Sequence, residues 1–270
     1  MRHRLYNGDC LEILKRLPHY DCLFADPPDN IRLGYSEYAD SLPDAEYARL
    51  LKDWLYLFLL KAGVVWVSFN AKWTFEMGRI VCNMRRDYPK LEAKPCVQTY
   101  TFGQHNHHDL GNNHRPLWRF RADPGKVPLY PDQIRVPSWR QEHGDKRADP
   151  RGRVPGDVFD FTRVTGNSKQ RRTWHPTQLN EGLVERCILM STSARNGDGE
   201  GLTVVDPFGG TGTTLRVCKR INRPCTVIEL DPGYCEKIAE ENGMAKWSNT
   251  GPWRAGDCEF RWEIPCAATA

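Results

Sequence analysis

The sequence predicts an α/β protein built on a doubly wound, mostly parallel sheet, and three observations carry that expectation. The short apolar runs Cys22–Ala25, Gly63–Phe69, Leu202–Val205 and Cys225–Ile228 have the length and all-round apolarity of strands covered on both faces. Segments of helical period alternate with them: Pro43 to Lys61, with Asp44 near its start and Gly63 just past its end, a stretch after Gly212 to about Arg220, and Pro232 to about Asn242. Asp26, Asp206 and Glu229 each follow the last apolar residue of a run, and in such sheets ligands gather beyond the carboxyl ends of the strands.

At 270 residues the chain can bury one sizeable core, with room for an insertion. No apolar stretch approaches the roughly 18 residues that cross a bilayer, and the start MRHRLYNGDC lacks the apolar centre of a signal peptide. A soluble, cytoplasmic protein without a membrane partner is expected. The ten cysteines are scattered, with no CxxC pair, and read as reduced thiols that mostly fill the core. Net charge is only +4, but residues 115 to 172 hold 14 Lys/Arg against 7 Asp/Glu, so the rest of the chain is net acidic. That concentration suits a surface meeting phosphates, or a solvated basic loop. From about Arg121 to Arg172 the chain is rich in Pro, Gly, Arg and Asp with little periodicity, the composition of a long functional insertion.

Two clusters at strand ends carry chemistry. Asp206-Pro-Phe-Gly-Gly-Thr-Gly-Thr-Thr214 puts glycines between a strand and a helix, where a ligand can approach the backbone and face helix amides. Leu215 stands where a dinucleotide fingerprint needs glycine, and no GK[ST] phosphate loop is present, which disfavours a nicotinamide oxidoreductase. Glu229, ending the next strand, is placed to accept hydrogen bonds from two ribose hydroxyls. Asp26-Pro27-Pro28 suits a different partner. An exocyclic amine on adenine or cytosine has its lone pair delocalised into the ring; a carboxylate accepting one N–H and a fixed carbonyl accepting the other favour the pyramidal, nucleophilic geometry. The prolines fix φ and hold the neighbouring carbonyls outward, although the tetrapeptide alone also reads as a plain turn after a strand.

Taken in order, Asn7-Gly8-Asp9-Cys10, Asp26-Pro-Pro, His175-Pro-Thr-Gln178, Asp206 to Thr214 and Glu229-Leu-Asp-Pro-Gly-Tyr234 resemble the beta group of S-adenosylmethionine-dependent DNA amino-methyltransferases, which act on adenine N6 or cytosine N4. The resemblance spans most of the chain and includes the group's order, catalytic motif before glycine motif, a circular permutation of the Rossmann-like methyltransferase fold. It implies a catalytic half at 1–120, an inserted target-recognition region at 121–172, a cofactor-binding half at 173–246 and a tail at 247–270. It implies S-adenosylmethionine as cofactor, held by Asp9, Cys10, His175, Thr177, Asp206, Phe208, Gly209, Gly210, Gly212, Thr213 and Glu229. A helix beginning near Gln178 would offer its amino end to the methionine carboxylate. Asp26, Pro27, Pro28 and Asp29 form the implied catalytic motif.

Double-stranded DNA is the implied partner, a homodimer is admissible, and the reaction is site-specific methylation of a flipped base of the restriction-modification kind. Adenine N6 is favoured, because the family's cytosine members more often carry Ser where Asp26 stands. Tyr35 and the arginines Arg135, Arg140, Arg147, Arg151, Arg153, Arg171 and Arg172 are the expected base and DNA contacts, some of the arginines being partners for Asp145, Asp149 and Asp157 instead. Asp29 departs from the family's aromatic residue, which stacks on the flipped base for about 1 to 3 kcal/mol. Tyr35 or Tyr38 can supply a ring, Asp29 can bond a donor on the base, or it can cap a turn with Asn30. The departure also leaves open a DNA-binding protein with an impaired methyltransferase fold. His105, His107, His108 and His114 fall in an expected loop between strands, read as DNA contact or solvation rather than a metal site.

Overall fold

The computed structural model describes residues 3–100, 106–193, 201–247 and 261–263. β1 (Arg4–Asn7) leads into α1 (Cys10–Arg16), whose first turn is capped by Asp9, accepting from the Leu11 and Glu12 amides at 2.7 and 3.3 Å. β2 (Tyr20–Ala25), α2 (Asp44–Lys61) and β3 (Ala62–Ser68) form the expected strand, helix, strand unit. A 3-10 turn at Ala71–Trp73 and α3 (Thr74–Met84) precede β4 (Glu92–Lys94), β5 (Val97–Thr99) and β6 (His114–Arg121). The central segment contains α4 (Trp139–Glu142) and β7 (Val158–Asp160). Then come α5 (Glu181–Ser191), β8 (Val204–Asp206), α6 (Thr213–Arg220), β9 (Cys225–Glu229), α7 (Pro232–Asn242), β10 (Ala245–Trp247) and β11 (Arg261–Glu263).

The strand order is β10-β11-β1-β9-β8-β2-β3-β6-β5-β7, with β4 also paired to β6. The five central strands β1, β9, β8, β2 and β3 are parallel, and β6 runs antiparallel against β3. Residue parity divides the core. Leu23, Val65 and Val205 face a cluster with α1, α2 and α3, while Phe24, Val64 and Val204 face a second cluster with α5, α6 and α7. Both faces are therefore covered, which is why these strands read as continuous apolar runs. From β8 the chain crosses through α6 to β9 on one side; from β2 it crosses through α2 to β3 on the other. β2 and β8 are neighbours that depart in opposite directions, and the crevice between their carboxyl ends is the binding position of a doubly wound sheet.

Three local expectations are corrected: the helix start near Gln178, the irregularity of the central segment and the loop placement of His114. The helix expected near Gln178 begins at Glu181, because Asn180 caps it by accepting from the Gly182 amide at 2.9 Å, while Gln178 is engaged with Gln170 and Arg172 in the preceding loop. The central segment is not wholly irregular: β7 pairs in parallel with β5 and so extends the sheet. The tail carries a strand, β11, antiparallel to β1 and β10. His105 lies outside the described residues, and His114 opens β6 rather than sitting in a loop. Among the described residues no group of three or more His, Cys, Asp or Glu is placed to hold a metal, every cysteine except Cys82 is buried, and no helix is long and apolar enough to cross a membrane.

Leu23, fully buried on β2 between β3 and β8, tests the core directly. Leu23→Ala is expected to cost about 2 to 5 kcal/mol of unfolding free energy, read from urea denaturation.

Candidate active site

The carboxyl ends of β1, β2, β8 and β9 each contribute a carboxylate to one open cleft, bounded by Gly8, Asp9 and Cys10 after β1, Asp26 after β2, the loop from Asp206 to Thr214 after β8, and Glu229 to Asp231 after β9. Its remaining walls include Tyr35 to Tyr38, Trp54 from α2, and His175 and Thr177 from the loop before α5.

The glycine loop owes its shape to tight backbone turns. Phe208 donates to Asp206 Oδ1 at 2.9 Å, Gly209 to the Ile228 carbonyl at 2.8 Å, and Gly210 to Glu229 Oε2 at 2.7 Å. Gly212, at φ +71°, is the N-cap of α6, a backbone state that side chains other than glycine rarely adopt. A Cβ on Gly209 would stand 2.6 Å from Val227 Cγ1 and 3.2 Å from Glu229 Cβ, so the loop lies against β9 as closely as glycine allows. Glu229 is held from both sides: Oε1 accepts the Asp231 amide at 2.9 Å, and Asn7 donates to the Glu229 and Leu230 carbonyls at 3.0 and 2.8 Å. Burial pushes the Asp206 and Glu229 carboxyls each up to about 7.

The Asp26 motif is clamped through its carbonyls. The Tyr47 hydroxyl from α2 donates to the Pro28 carbonyl, and Trp73 Nε1 donates to the Asp29 carbonyl at 2.8 Å. The Asp26 and Pro27 carbonyls accept no hydrogen bond among the described residues. The Asp29 side chain does not cap a turn with Asn30. The Asn30, Ile31 and Leu33 amides donate instead to Asp40, and the Asn30 side chain pairs with the Leu42 backbone. Asp29 turns inward, 10% exposed, onto Arg115 of β6, whose Nη1 and Nη2 reach its two carboxylate oxygens at 2.6 and 3.0 Å. The same guanidinium donates to Asp26 Oδ1 at 2.7 Å and to Ser68 Oγ at 2.6 Å. Burial raises the Asp26 pKa and the Arg115 charge opposes that rise.

Above the cleft, the loop after β2 crosses to the far side, with Ser36 bonded to Asp231 and the Tyr35 ring 5.8 Å from His175. His175 also packs on Tyr234 at 4.7 Å, and its Nδ1 lies 2.6 Å from the Thr177 carbonyl. Tyr35 is thus on the cleft wall with His175, and its hydroxyl bonds Thr177.

Of the residues singled out in the sequence, Asp9, Cys10, Asp26, Pro28, Tyr35, His175, Thr177, Asp206, Phe208, Gly209, Gly210, Thr213 and Glu229 line this one cleft. Pro27, Asp29 and Gly212 stand behind its surface. None of the singled-out arginines of the central segment lines it. Arg147 pairs with Asp145 and Arg151 with Asp149, at 2.9 and 3.0 Å on the exposed surface. Arg135 holds Asp132 and the Gly152 carbonyl, while Arg140 and Arg153 are exposed. Arg171 and Arg172 are engaged locally, Arg172 also binding Glu241 of α7 at 2.7 Å. Asp157 pairs with Lys94 rather than with an arginine. Arg115, Ser68, Tyr47 and Trp73 have no local pattern in the sequence that marks them; the signal for Arg115 is the second carboxylate next to Asp26, which when buried calls for a cation.

Residues 20–241 match the family model described as DNA methylase, the family of N6-adenine and N4-cytosine enzymes. The chain belongs to the DNA methylase family. This DNA methylase is an S-adenosylmethionine-dependent methyltransferase of adenine N6 or cytosine N4. It is 30% identical over 245 residues to the type II methyltransferase M.HpaI of Haemophilus parainfluenzae, covering 89% of this chain and 74% of that protein. It is 27% identical over 251 residues to the DNA adenine methyltransferase YhdJ of Escherichia coli strain K12, covering 85% and 79%. The fold is shared with the cytosine-N4-specific PvuII DNA methyltransferase, at a TM-score of 0.64 and 18% identity over 87% of this chain and 84% of that one.

Gly209→Ala has little room to be absorbed, since Val227 is a packed core side chain. The variant is expected to bind S-adenosylhomocysteine at least about tenfold more weakly by calorimetry, in keeping with a displacement of about an ångström at a preorganised site.

Proposed function

We propose that this methylase transfers a methyl group to adenine N6 of a flipped base within a specific DNA sequence. The observation that carries the reading is the position of Asp26, at the edge of the cleft that the glycine loop and Glu229 enclose, with two carbonyls beside it that accept no hydrogen bond among the described residues. Asp26 accepts one amine N–H, the Asp26 or Pro27 carbonyl accepts the other, and the lone pair is freed toward the cleft. S-adenosylmethionine supplies the methyl group on a sulfonium, the nitrogen–carbon bond forming as the carbon–sulfur bond breaks. The surplus amine proton then leaves by way of Asp26 or solvent.

The cleft fits that cofactor on its own chemistry. Glu229 and Asp9 offer acceptors at one end, the Gly209–Gly210 backbone can be approached closely, and the buried carboxyl of Asp206 is of the right sign to lie near a cation. His175, beside Gly210, and Thr177 also line the cleft. The basic stretch within 121–172 is the expected target-recognition region. The pairs Asp145–Arg147 and Asp149–Arg151 are exposed and screened by solvent, so those arginines can exchange a carboxylate for a DNA phosphate.

Incubation with labelled cofactor and plasmid DNA, followed by digestion to nucleosides and mass identification, is expected to yield N6-methyladenine with the native chain and none with Asp26→Ala. N4-methylcytosine would reassign the base, and equal incorporation by both proteins would remove Asp26 from the reaction.

A second expectation concerns pH. An ionised Glu229 is needed to accept both ribose hydroxyls, and its carboxyl lies at about 7. Cofactor affinity should hold above that pH and weaken by up to about tenfold per unit below it. In Glu229→Gln the weak binding should no longer depend on pH through this group. Calorimetric titrations between about pH 8 and pH 6 that give the native chain one constant affinity would dismiss the role.

A further inference from the structure

Asp26 and Asp29 come from one loop and are both withdrawn from solvent, at 25% and 10% side-chain exposure. Two such carboxylates placed together repel, and one of them would take up a proton. A single cation from another element answers both. Arg115, 18% exposed on β6, makes two bonds to Asp29, one to Asp26 and one to Ser68, so four of its five N–H groups are committed. Two carboxylates share one guanidinium, and of these three groups only Asp26 lines the cleft.

We propose that Arg115, locked in place by Asp29 and Ser68, is a positioning residue for methyl transfer: it fixes Asp26 as an ionised acceptor facing the target amine. The inference rests on the reading of Asp26 given above. A protonated Asp26 would present an O–H donor to an amine that must itself donate, and it would offer no charge to the nitrogen as that nitrogen becomes positive. Arg115 prevents this, but a lone arginine would also neutralise Asp26. Asp29 offsets that second effect by occupying the guanidinium in a fork, so the cluster keeps its net negative charge. The groups facing Asp26 are Arg115 from β6, Ser68 from β3, Asp29 from its own loop, Asp206 from β8 and Tyr35 from the crossing loop.

Two measurements on the full-length protein test the assignment. The Asp26 carboxyl can be titrated by 13C NMR, its resonance identified by its loss in Asp26→Asn. In Arg115→Gln its midpoint should rise by about 1 to 3 pH units, and Arg115→Lys should restore part of the difference. In single-turnover methylation, Arg115→Gln should lose about a hundredfold or more in rate, with the acid limb of the pH profile displaced to higher pH and S-adenosylhomocysteine affinity within about threefold of native. Asp29→Asn should give a rate between the two, with the Asp26 midpoint no higher than native because a like charge is removed. An Asp26 midpoint or acid limb unmoved by Arg115→Gln overturns the inference. Because the carboxyl titration needs no turnover, it judges the Arg115 contact even if the native chain methylates no DNA, an outcome that would count against the proposed function alone.

Discussion

The parallel pairing of β2 with β8 is the constraint on which the site depends, since it sets side by side two segments far apart in the chain. Asp21 and Thr203, 182 positions apart, fasten the amino ends of these strands, with the Thr203 amide and hydroxyl both 2.8 Å from Asp21 Oδ2. Cys22 then opposes Val204 and Leu23 opposes Val205, which brings Asp26 and Asp206 out at the same edge. Because the two strands feed crossovers that run apart, a crevice opens between their ends, crossed above by the loop after β2 at Tyr35 and Ser36. A register shift here would separate the acceptor of the amine from the cleft beside it and would exchange the side chains packed into the two cores.

Charge at this edge is handled in two ways. Asp206 and Glu229 are bonded chiefly to backbone and hydroxyl groups, and burial holds their carboxyls near 7. Asp26 has a cation of its own, contributed by the first antiparallel strand beyond the parallel core. β6 therefore does more than extend the sheet: its antiparallel course delivers His114 and Arg115 back toward the carboxyl ends of β2 and β3, where a parallel neighbour would deliver the end of its strand.

Much of this was legible in the chain. The central strands announced themselves as apolar runs because both their faces are buried, and α7 was read to its ends from Pro232 and Asn242. The strand-end acids and glycines were found because each has a local pattern. What was hidden depends on contacts between distant residues. The partner of Asp29 is 86 positions away, and Arg115 was counted only as the first residue of a basic segment. The start of α5 was misplaced because Gln178, three residues before the helix, spends its amide on the loop, and the capping role fell to Asn180. Asp9 carries a cap as well as a place on the cleft wall, and the cap needed no ligand to explain it.

The clamp on the Asp26 motif has a mechanical meaning. Tyr47 and Trp73 hold the carbonyls of residues 28 and 29, and those two rings pack 4.5 Å apart in the core, which ties the loop to α2 and to the turn before α3. On the proposed reading it behaves as an anvil. Fitting the amine to its acceptors is then left to the nucleic acid, which must bring the base to a fixed point, and the work of distortion falls on the DNA duplex rather than on the protein.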